Sequence, residues 1–178
     1  MRDLDLKILR AMRTRGHARP IETAARLLGK GGNNGAGWFV ANAALAVADK
    51  PRRRAWATCA VLGPAAIGLN YAVKLVVKRP RPVLKGLPPL GGAPSSLSFP
   101  SAHSTSSFAV AVAMTRVDPR AKVAFIPAVA MAAGRPYLGM HYPSDVVVGV
   151  LLGLALGATV PLPRTESESE YGEWGEER

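Results

Sequence analysis

Cysteine is almost absent from this chain of 178 residues: Cys59 is the only one, which excludes an intrachain disulfide framework. Because Cys59 lies in an apolar run, we expect it to pack in the interior rather than to react. Acidic residues are also scarce, with 12 Asp and Glu against 23 Lys and Arg and a net charge of +11. Six of the 12 acids but only two of the 23 bases lie in residues 164–178, so the rest of the chain is still more basic.

This excess of positive charge is compatible with nucleic-acid binding. The cations lie at the ends of apolar segments, however, and that arrangement suits the anionic head groups of lipids better. We therefore expect the bilayer and its anionic lipids as partners, and no nucleic acid. The sequence carries no indication of an oligomeric state.

Long apolar segments with almost no charge determine the predicted fold class. Two of them approach the ~20 residues that span a bilayer, and the shorter ones are rich in Ala and Gly, which lets helices approach closely. They predict an all-α, integral membrane bundle of about five transmembrane helices. A soluble helical domain with an apolar core is the alternative. The five segments cover residues 36–49, 55–73, 102–115, 121–134 and 146–163.

The two ends of the chain differ from this central domain, which we predict over residues 36–163. Residues 1–35 carry eight Lys or Arg and lack a long apolar stretch, so no secretory signal is expected. Within them, residues 3–15 and 20–29 have helical periodicity and predict amphipathic helices at the membrane surface, or else ordinary solvated helices. Residues 31–35 predict a turn that lacks the Lys-Ser/Thr of a phosphate loop. Residues 164–178 predict an acidic, disordered tail.

Three short blocks hold most of the residues that could handle phosphate. Two of the three histidines lie in them, and each block follows or precedes an apolar segment. If each segment spans once, all three blocks emerge on the same side of the membrane. The blocks are Lys74 to Arg81-Pro82, then Pro100-Ser101-Ala102-His103, then Arg135 followed by His141 and Asp145.

The order and spacing of these blocks resemble the type 2 phosphatidic acid phosphatase (lipid phosphate phosphatase) superfamily over residues 37–163. Its pattern is K-x6-RP, then PSGH, then SR-x5-H-x3-D; here Ala102 replaces the Gly and Gly134 replaces the Ser. The resemblance implies a phosphatase that acts on a lipid monophosphate or diphosphate through a phosphohistidine. Family substrates include phosphatidic acid, phosphatidylglycerol phosphate, polyprenyl diphosphate and polyprenyl-phosphoryl pentose phosphate.

The candidate site residues divide by chemistry. We predict that His141 is the nucleophile, that Asp145 orients its ring and that His103 moves the proton. Ser101 is expected to cap the helix that begins near Ala102, whose free N–H groups form an anion site. Phosphate oxygens are expected to be bound by Lys74, Arg81, Ser101, Ala102 and Arg135.

For several other basic and aromatic residues the sequence supports only less specific predictions. Lys78, Arg79 and Lys85 fall outside the fixed positions and either attract the head group or lie at the membrane edge. Tyr137 and Tyr142 are expected at the membrane interface. No cofactor or metal is expected, because the surrounding cations would repel a metal ion and no second carboxylate is near.

Two functional alternatives remain, together with the question of orientation. A related enzyme class binds vanadate at the same site for halide oxidation, and a non-catalytic lipid-binding protein is a further possibility. In the family the active side normally lies outside the cytoplasm. By the positive-inside rule, the eight N-terminal bases instead favour a cytoplasmic location of the site. We expect a multi-pass protein of the cell membrane with an extracytoplasmic site.

Overall fold

The computed structural model describes residues 2–93 and 95–163, and over these residues the chain is helical. Apart from an isolated bridge between Pro80 and Leu97, these residues contain no β-structure, so the all-helical prediction is confirmed. Three short 3₁₀ helices cover residues 33–35, 50–52 and 119–124. The α-helices of the described part are α1 (Arg2–Thr14), α2 (Arg19–Gly31), α3 (Ala36–Ala48), α4 (Arg53–Val77), α5 (Ala102–Val117), α6 (Phe125–Tyr137) and α7 (Pro143–Thr159). The acidic tail lies outside the described residues.

Helix α5 is the centre of the bundle. Small and apolar residues occupy all of its sides, as expected for a helix that is surrounded by others, and residues 104–111 are buried without a break. It packs against α4, α6 and α7. Cys59 of α4 is fully buried in the core beside Trp56 and Phe108, in keeping with the packing role predicted for it.

A row of glycines brings α7 unusually close to α5. A Cβ atom added at Gly149 would lie 2.7 Å from the carbonyl oxygen of Ser101, and one at Gly153 would lie 2.5 Å from that of Thr105. Gly157 continues the row against Ala109. Any side chain at these positions would push the helices apart, so the row sets the distance between the first turns of α5 and α7.

Two basic connectors, residues 50–54 before and into α4 and residues 116–122 at the end of α5, meet at one end of the bundle. Arg52, just before α4, binds Asp49 at 2.6 Å and Asp118, just after α5, at 2.8 Å. Arg116 donates at 2.7 Å to the carbonyl oxygen of Gly157 near the end of α7. The last turn of α4 and the first turns of α5 and α7 therefore lie at the opposite end, which brings the three sequence blocks together as predicted.

One helix of the described part is long and apolar enough to cross a membrane. It runs over Lys50–Val77, with a mean hydropathy of 1.6. Helix α7 is apolar but shorter. The number of five spans therefore stays a prediction.

The two N-terminal helices form where the periodicity predicted them, and they pack on the end of the bundle that carries the three blocks. Leu9 of α1 is fully buried. Arg13 of the same helix is also buried and donates at 2.7 Å to the carbonyl oxygen of Pro88, in the long loop between α4 and α5. Helix α2 packs on α6. Their location at a membrane surface stays a prediction.

Candidate active site

A cavity of about 270 Å³ at this end of the bundle brings together residues from all three blocks. Each block stands at a helix terminus, and the packing of α4, α5 and α7 makes those termini converge. Lys74 comes from the last turn of α4, and Arg81 from the loop that follows. His103 lies in the first turn of α5, and His141 lies just before α7. The predicted site residues that line the cavity are Lys74, Arg81, Ala102, His103 and His141.

His141 is buried, with 3% of its surface exposed. Its Nε2 lies 3.2 Å from Nη1 of Arg81, while its Nδ1 lies 3.5 Å from Oδ2 of Asp145. The second distance is at the outer limit of a hydrogen bond, and Nδ1 has no closer partner. Burial, with the charges of Arg81 and Lys74, lowers the pKa of His141 to about 4 although Asp145 opposes the shift. The ring is therefore neutral near pH 7, and the lone pair on its Nε2 accepts a hydrogen bond from Nη1 of Arg81.

Asp145 is fully buried and well bonded at the start of α7. Its Oδ2 accepts from the backbone N–H of Tyr142 at 3.0 Å, an arrangement that caps the helix, and Pro143 occupies the first turn. Its Oδ1 accepts from Nη1 of Arg79 at 2.6 Å. These bonds hold the carboxylate beside the ring of His141.

Arg79 is a residue whose importance the sequence analysis missed. Besides Asp145 it binds Asp5 of α1 at 2.8 Å, and its guanidinium lies 3.9 Å from the ring centroid of Tyr142. The signal was present in the spacing, because residues 79 and 81 flank Pro80 in an extended segment. Side chains two residues apart in extended backbone share a side, so Arg79 accompanies Arg81 into the site.

Two cations of the first block, Lys74 and Arg81, are held by backbone carbonyls. Lys74 donates to Ser98 O at 3.0 Å and to Pro100 O at 2.7 Å. Arg81 donates through Nε to Ser95 O at 2.8 Å. The loop before α5 thus wraps around both side chains and keeps their charges beside the cavity, and neither forms an ion pair with an acid in the described part of the chain.

Ser101 caps α5, as predicted. Its Oγ accepts from the backbone N–H of Ser104 at 3.4 Å and from the Ser104 hydroxyl at 2.9 Å. Its own N–H donates to the carbonyl oxygen of Asp145 at 3.0 Å and so ties the start of α5 to the start of α7. The first N–H groups of α5, next to Ala102 in the cavity wall, form a helix N-terminus suited to an anion.

His103 faces the cavity and contacts α2. Its Nε2 lies 3.0 Å from the carbonyl oxygen of Gly29. A carbonyl oxygen can only accept, so the proton of the neutral ring lies on Nε2 in this arrangement. In this arrangement that N–H donates to Gly29 of α2.

Arg135, predicted as a phosphate ligand, does not line this first cavity, and its role in phosphate binding stays a prediction. It is buried, it donates at 3.2 Å to the carbonyl oxygen of Ala25 in α2, and it lines a second cavity of about 520 Å³. The cause is the packing of α2 on α6, which covers the guanidinium. The second cavity adjoins the first, since Asn33 and Met140 line both.

The less specific predictions for basic and aromatic residues have different outcomes in the structure. Lys78 and Lys85 are exposed and do not line the cavity. The interface prediction is wrong for Tyr142, which is 4% exposed because Arg79 covers it. Tyr137 is partly buried and stacks on His17, with ring centroids 4.1 Å apart.

The turn at residues 31–35 forms as predicted but contributes more than a connection. Gly32, Asn33 and Asn34 all line the first cavity. Nothing in the local sequence indicates this, because the contact arises from the packing of α2 across the end of the bundle. Within the described ranges, no group of three or more His, Cys, Asp or Glu side chains is gathered for a metal ion. The metal-free mechanism stays a prediction.

An all-helical bundle whose end carries two histidines among lysine and arginine side chains has the equipment of a phosphoryl-transfer enzyme. A family model described as the PAP2 superfamily matches residues 54–166. The chain belongs to this superfamily, and the family predicted from the three blocks is thereby confirmed.

Individual relatives agree with this placement. The chain is 39% identical over 137 residues to the decaprenylphosphoryl-5-phosphoribose phosphatase of Mycobacterium tuberculosis, and the match covers 76% of each protein.

Two solved structures share the fold alone. The transmembrane PAP2-type phosphatidylglycerolphosphate phosphatase of Bacillus subtilis has a TM-score of 0.68 and 21% identity over 88% of this chain and 82% of that one. A bacterial vanadium-dependent iodoperoxidase has a TM-score of 0.69 and 18% identity, over 91% of this chain but 49% of its own.

Proposed function

We propose that this protein is a multi-pass membrane phosphatase that hydrolyses a lipid phosphate through a phosphohistidine on His141. The observation that carries the proposal is a single cavity that is lined by both His141 and His103, with Lys74 and Arg81 beside them. Phosphoryl transfer needs positioned groups and charge stabilisation more than any other help from the protein. This cavity supplies a neutral nucleophile, a proton donor and two cations.

The outer surface of the bundle supports a membrane location. Large apolar side chains point outward from four helices, among them Val47 of α3, Val76 of α4, Ile126 of α6 and Leu151 of α7, which are 59–82% exposed. Only 33% of the most apolar stretch of α4 is buried, whereas the core helix of a soluble protein is mostly buried. Water-exposed surfaces seldom carry so much large apolar area, and lipid contact accounts for it.

The proposed reaction has two steps. In the first, Nε2 of His141 attacks phosphorus, the bond from phosphorus to the lipid oxygen breaks, and that oxygen takes a proton from the protonated imidazolium ring of His103, which becomes neutral. In the second, water attacks the phosphohistidine and gives a proton to His103. The bond between phosphorus and Nε2 then breaks, and inorganic phosphate leaves. Lys74 and Arg81 stabilise the phosphoryl oxygens in both steps, and Asp145 stabilises the charge that develops on His141.

For the substrate we propose a polyprenyl-phosphoryl pentose phosphate, the class named in the relative from Mycobacterium tuberculosis. A panel of lipid phosphates assayed in detergent tests this choice, with phosphatidic acid, phosphatidylglycerol phosphate and polyprenyl diphosphate as the competing members. Turnover should survive EDTA and be inhibited by vanadate, which mimics five-coordinate phosphorus. A protein that hydrolyses none of these lipids, or that needs an added divalent metal after chelation, would contradict the proposal. Halide oxidation with vanadate bound would support the peroxidase alternative.

An apolar groove beside the active site gives a sharper test of the lipid part of the proposal. The groove, of about 350 Å³, lies between α2, α3 and α6 with Leu28, Trp38 and Met131 in its wall. Gly32 lines both the groove and the catalytic cavity. A hydrocarbon chain in the groove would therefore lead directly to the phosphate site.

Replacing Gly31 with Leu should fill this groove. A Cβ atom at Gly31 would meet no neighbouring atom of the described residues within 4 Å, so the position has open space for a side chain. We expect the KM for the lipid substrate to rise roughly tenfold, the value of one lost apolar side-chain contact. Hydrolysis of a soluble aryl phosphate should change much less. Gly68→Leu is the matched control, because Gly68 on α4 also has open space and lies outside the groove. Equal KM changes in both variants would contradict this use of the groove.

We propose that the active side faces away from the cytoplasm, as is usual in the family. The eight bases of the N-terminal segment oppose this orientation by the positive-inside rule, but several cations on that side are accounted for by phosphate binding. Labelling of a Leu90→Cys variant by a membrane-impermeant thiol reagent in intact cells tests the orientation. Labelling only after permeabilisation would reverse it.

A further inference from the structure

Helix α1 reaches the catalytic end of the bundle from outside the region that matches the family model, which begins at residue 54. Its Asp5 is buried, although the residue is charged and near the start of the chain. The two oxygens of Asp5 are fully used. Oδ1 accepts from the backbone N–H of Ser144 at 3.0 Å, and Oδ2 accepts from the Ser144 hydroxyl at 2.5 Å and from Nη2 of Arg79 at 2.8 Å.

Arg79 links this carboxylate to the one beside the nucleophile. Nη2 donates to Asp5 and Nη1 donates to Oδ1 of Asp145, so the two edges of one guanidinium serve two acids. Stacking on Tyr142 fixes the plane of the guanidinium. Although burial opposes it, hydrogen bonds from Ser144 and Arg79 lower the pKa of Asp5 below its ordinary value, so Asp5 is ionised near pH 7.

The net charge of Asp5, Arg79 and Asp145 matters for the reaction. When Nε2 of His141 bonds to phosphorus, the ring gains positive charge, and a negative Asp145 stabilises it. Arg79 on its own would cancel the charge of Asp145. Asp5 cancels the charge of Arg79 instead, so that Asp5, Arg79 and Asp145 together keep one negative charge beside the ring.

We propose that Asp5 is a positioning residue, which acts through Arg79 to hold the carboxylate of Asp145 and its negative charge against His141. The N-terminal helix then completes the active site and is not merely a surface attachment. The inference rests on the proposed function of His141 and adds a residue that none of the three blocks contains.

Asp5→Asn removes the charge while it keeps the size of the side chain. We expect kcat for the lipid substrate to fall roughly 10- to 100-fold, the range for one lost charge-assisted hydrogen bond, with KM changed less than threefold. Asp3→Asn is the matched control, since Asp3 is exposed on the same helix, and it should retain the parent kcat. Asp5→Glu, which keeps the charge, should recover part of the loss.

A double-mutant cycle separates positioning from a general effect on stability. If Asp5 acts through Arg79, Asp5→Asn combined with Arg79→Gln should lose no more activity than Arg79→Gln alone. Multiplicative losses, or a parent-like kcat in folded Asp5→Asn protein, would overturn the proposal. Thermal unfolding of each detergent-solubilised variant identifies any that fail to fold, and Asp5→Glu then carries the comparison.

Vanadate binding, measured by titration calorimetry, gives a readout that needs no turnover. Failure of the parent protein to hydrolyse any lipid phosphate would sink the proposed function. The role of Asp5 would then be judged by whether Asp5→Asn weakens vanadate binding about tenfold relative to Asp3→Asn. Equal vanadate affinity in the two variants would overturn the role of Asp5 whatever the turnover of the parent.

Discussion

Replacement of His141 with Ala is expected to abolish turnover and the trapping of a phosphoenzyme. His141 lines the cavity with its Nε2 hydrogen-bonded to Arg81 and with Asp145 behind the other nitrogen. Its pKa of about 4 keeps the ring unprotonated near pH 7, as a nucleophile requires. Loss of a nucleophile typically costs about 10⁴- to 10⁶-fold in kcat, far more than any second role of the side chain could.

The measurement is a rapid quench in alkaline detergent with substrate labelled at phosphorus, because a phosphohistidine is unstable in acid. His17→Ala is the control, since His17 lies outside the three blocks and contacts Glu22 and the backbone of Met12 instead. It should trap label and turn over within a few-fold of the parent. Label retained on the His141→Ala protein would remove His141 from the role of nucleophile.

Replacement of His103 with Ala should have the second largest effect, and its size should depend on the leaving group. A lipid alcohol is a poor leaving group that needs a proton, so its hydrolysis should slow by about 10²- to 10⁴-fold. An activated aryl phosphate leaves without a proton, so its phosphorylation step should slow much less. The two substrates are compared by burst kinetics, which isolates the first step. Equal losses in the burst rate would count against proton donation by His103.

The sequence alone carried enough information to predict the catalytic cavity but not its surroundings. Lys74, Arg81 and the two histidines converge because each lies at the end of an apolar segment. When successive segments cross a bundle in opposite directions, the end of one segment and the start of the next lie at the same end of the bundle. That reasoning needs only order and spacing. It predicted the cap at Ser101 for the same reason, since capping depends on residues within one turn.

Contacts between distant segments were beyond such reasoning. The bond between Asp5 and Arg79 joins residues 74 positions apart, and no periodicity within α1 distinguishes the buried Asp5 from the exposed Asp3. Arg135 lines the second cavity rather than the first for a related reason, because its position depends on α2, which covers the end of α6. Short motifs report what a residue type can do, whereas docking of whole helices decides which residues meet.

The glycine row between α5 and α7 has a consequence for a protein that works in a bilayer. Helices tilt when the surrounding lipid thins or thickens, and loosely packed neighbours would then slide apart. Gly149, Gly153 and Gly157 press α7 onto the backbone of α5, and the bond from Ser101 to the carbonyl of Asp145 locks the two first turns. His103 and His141 are therefore held by two helices that move together. We expect the distance between proton donor and nucleophile to stay the same when the thickness of the membrane changes.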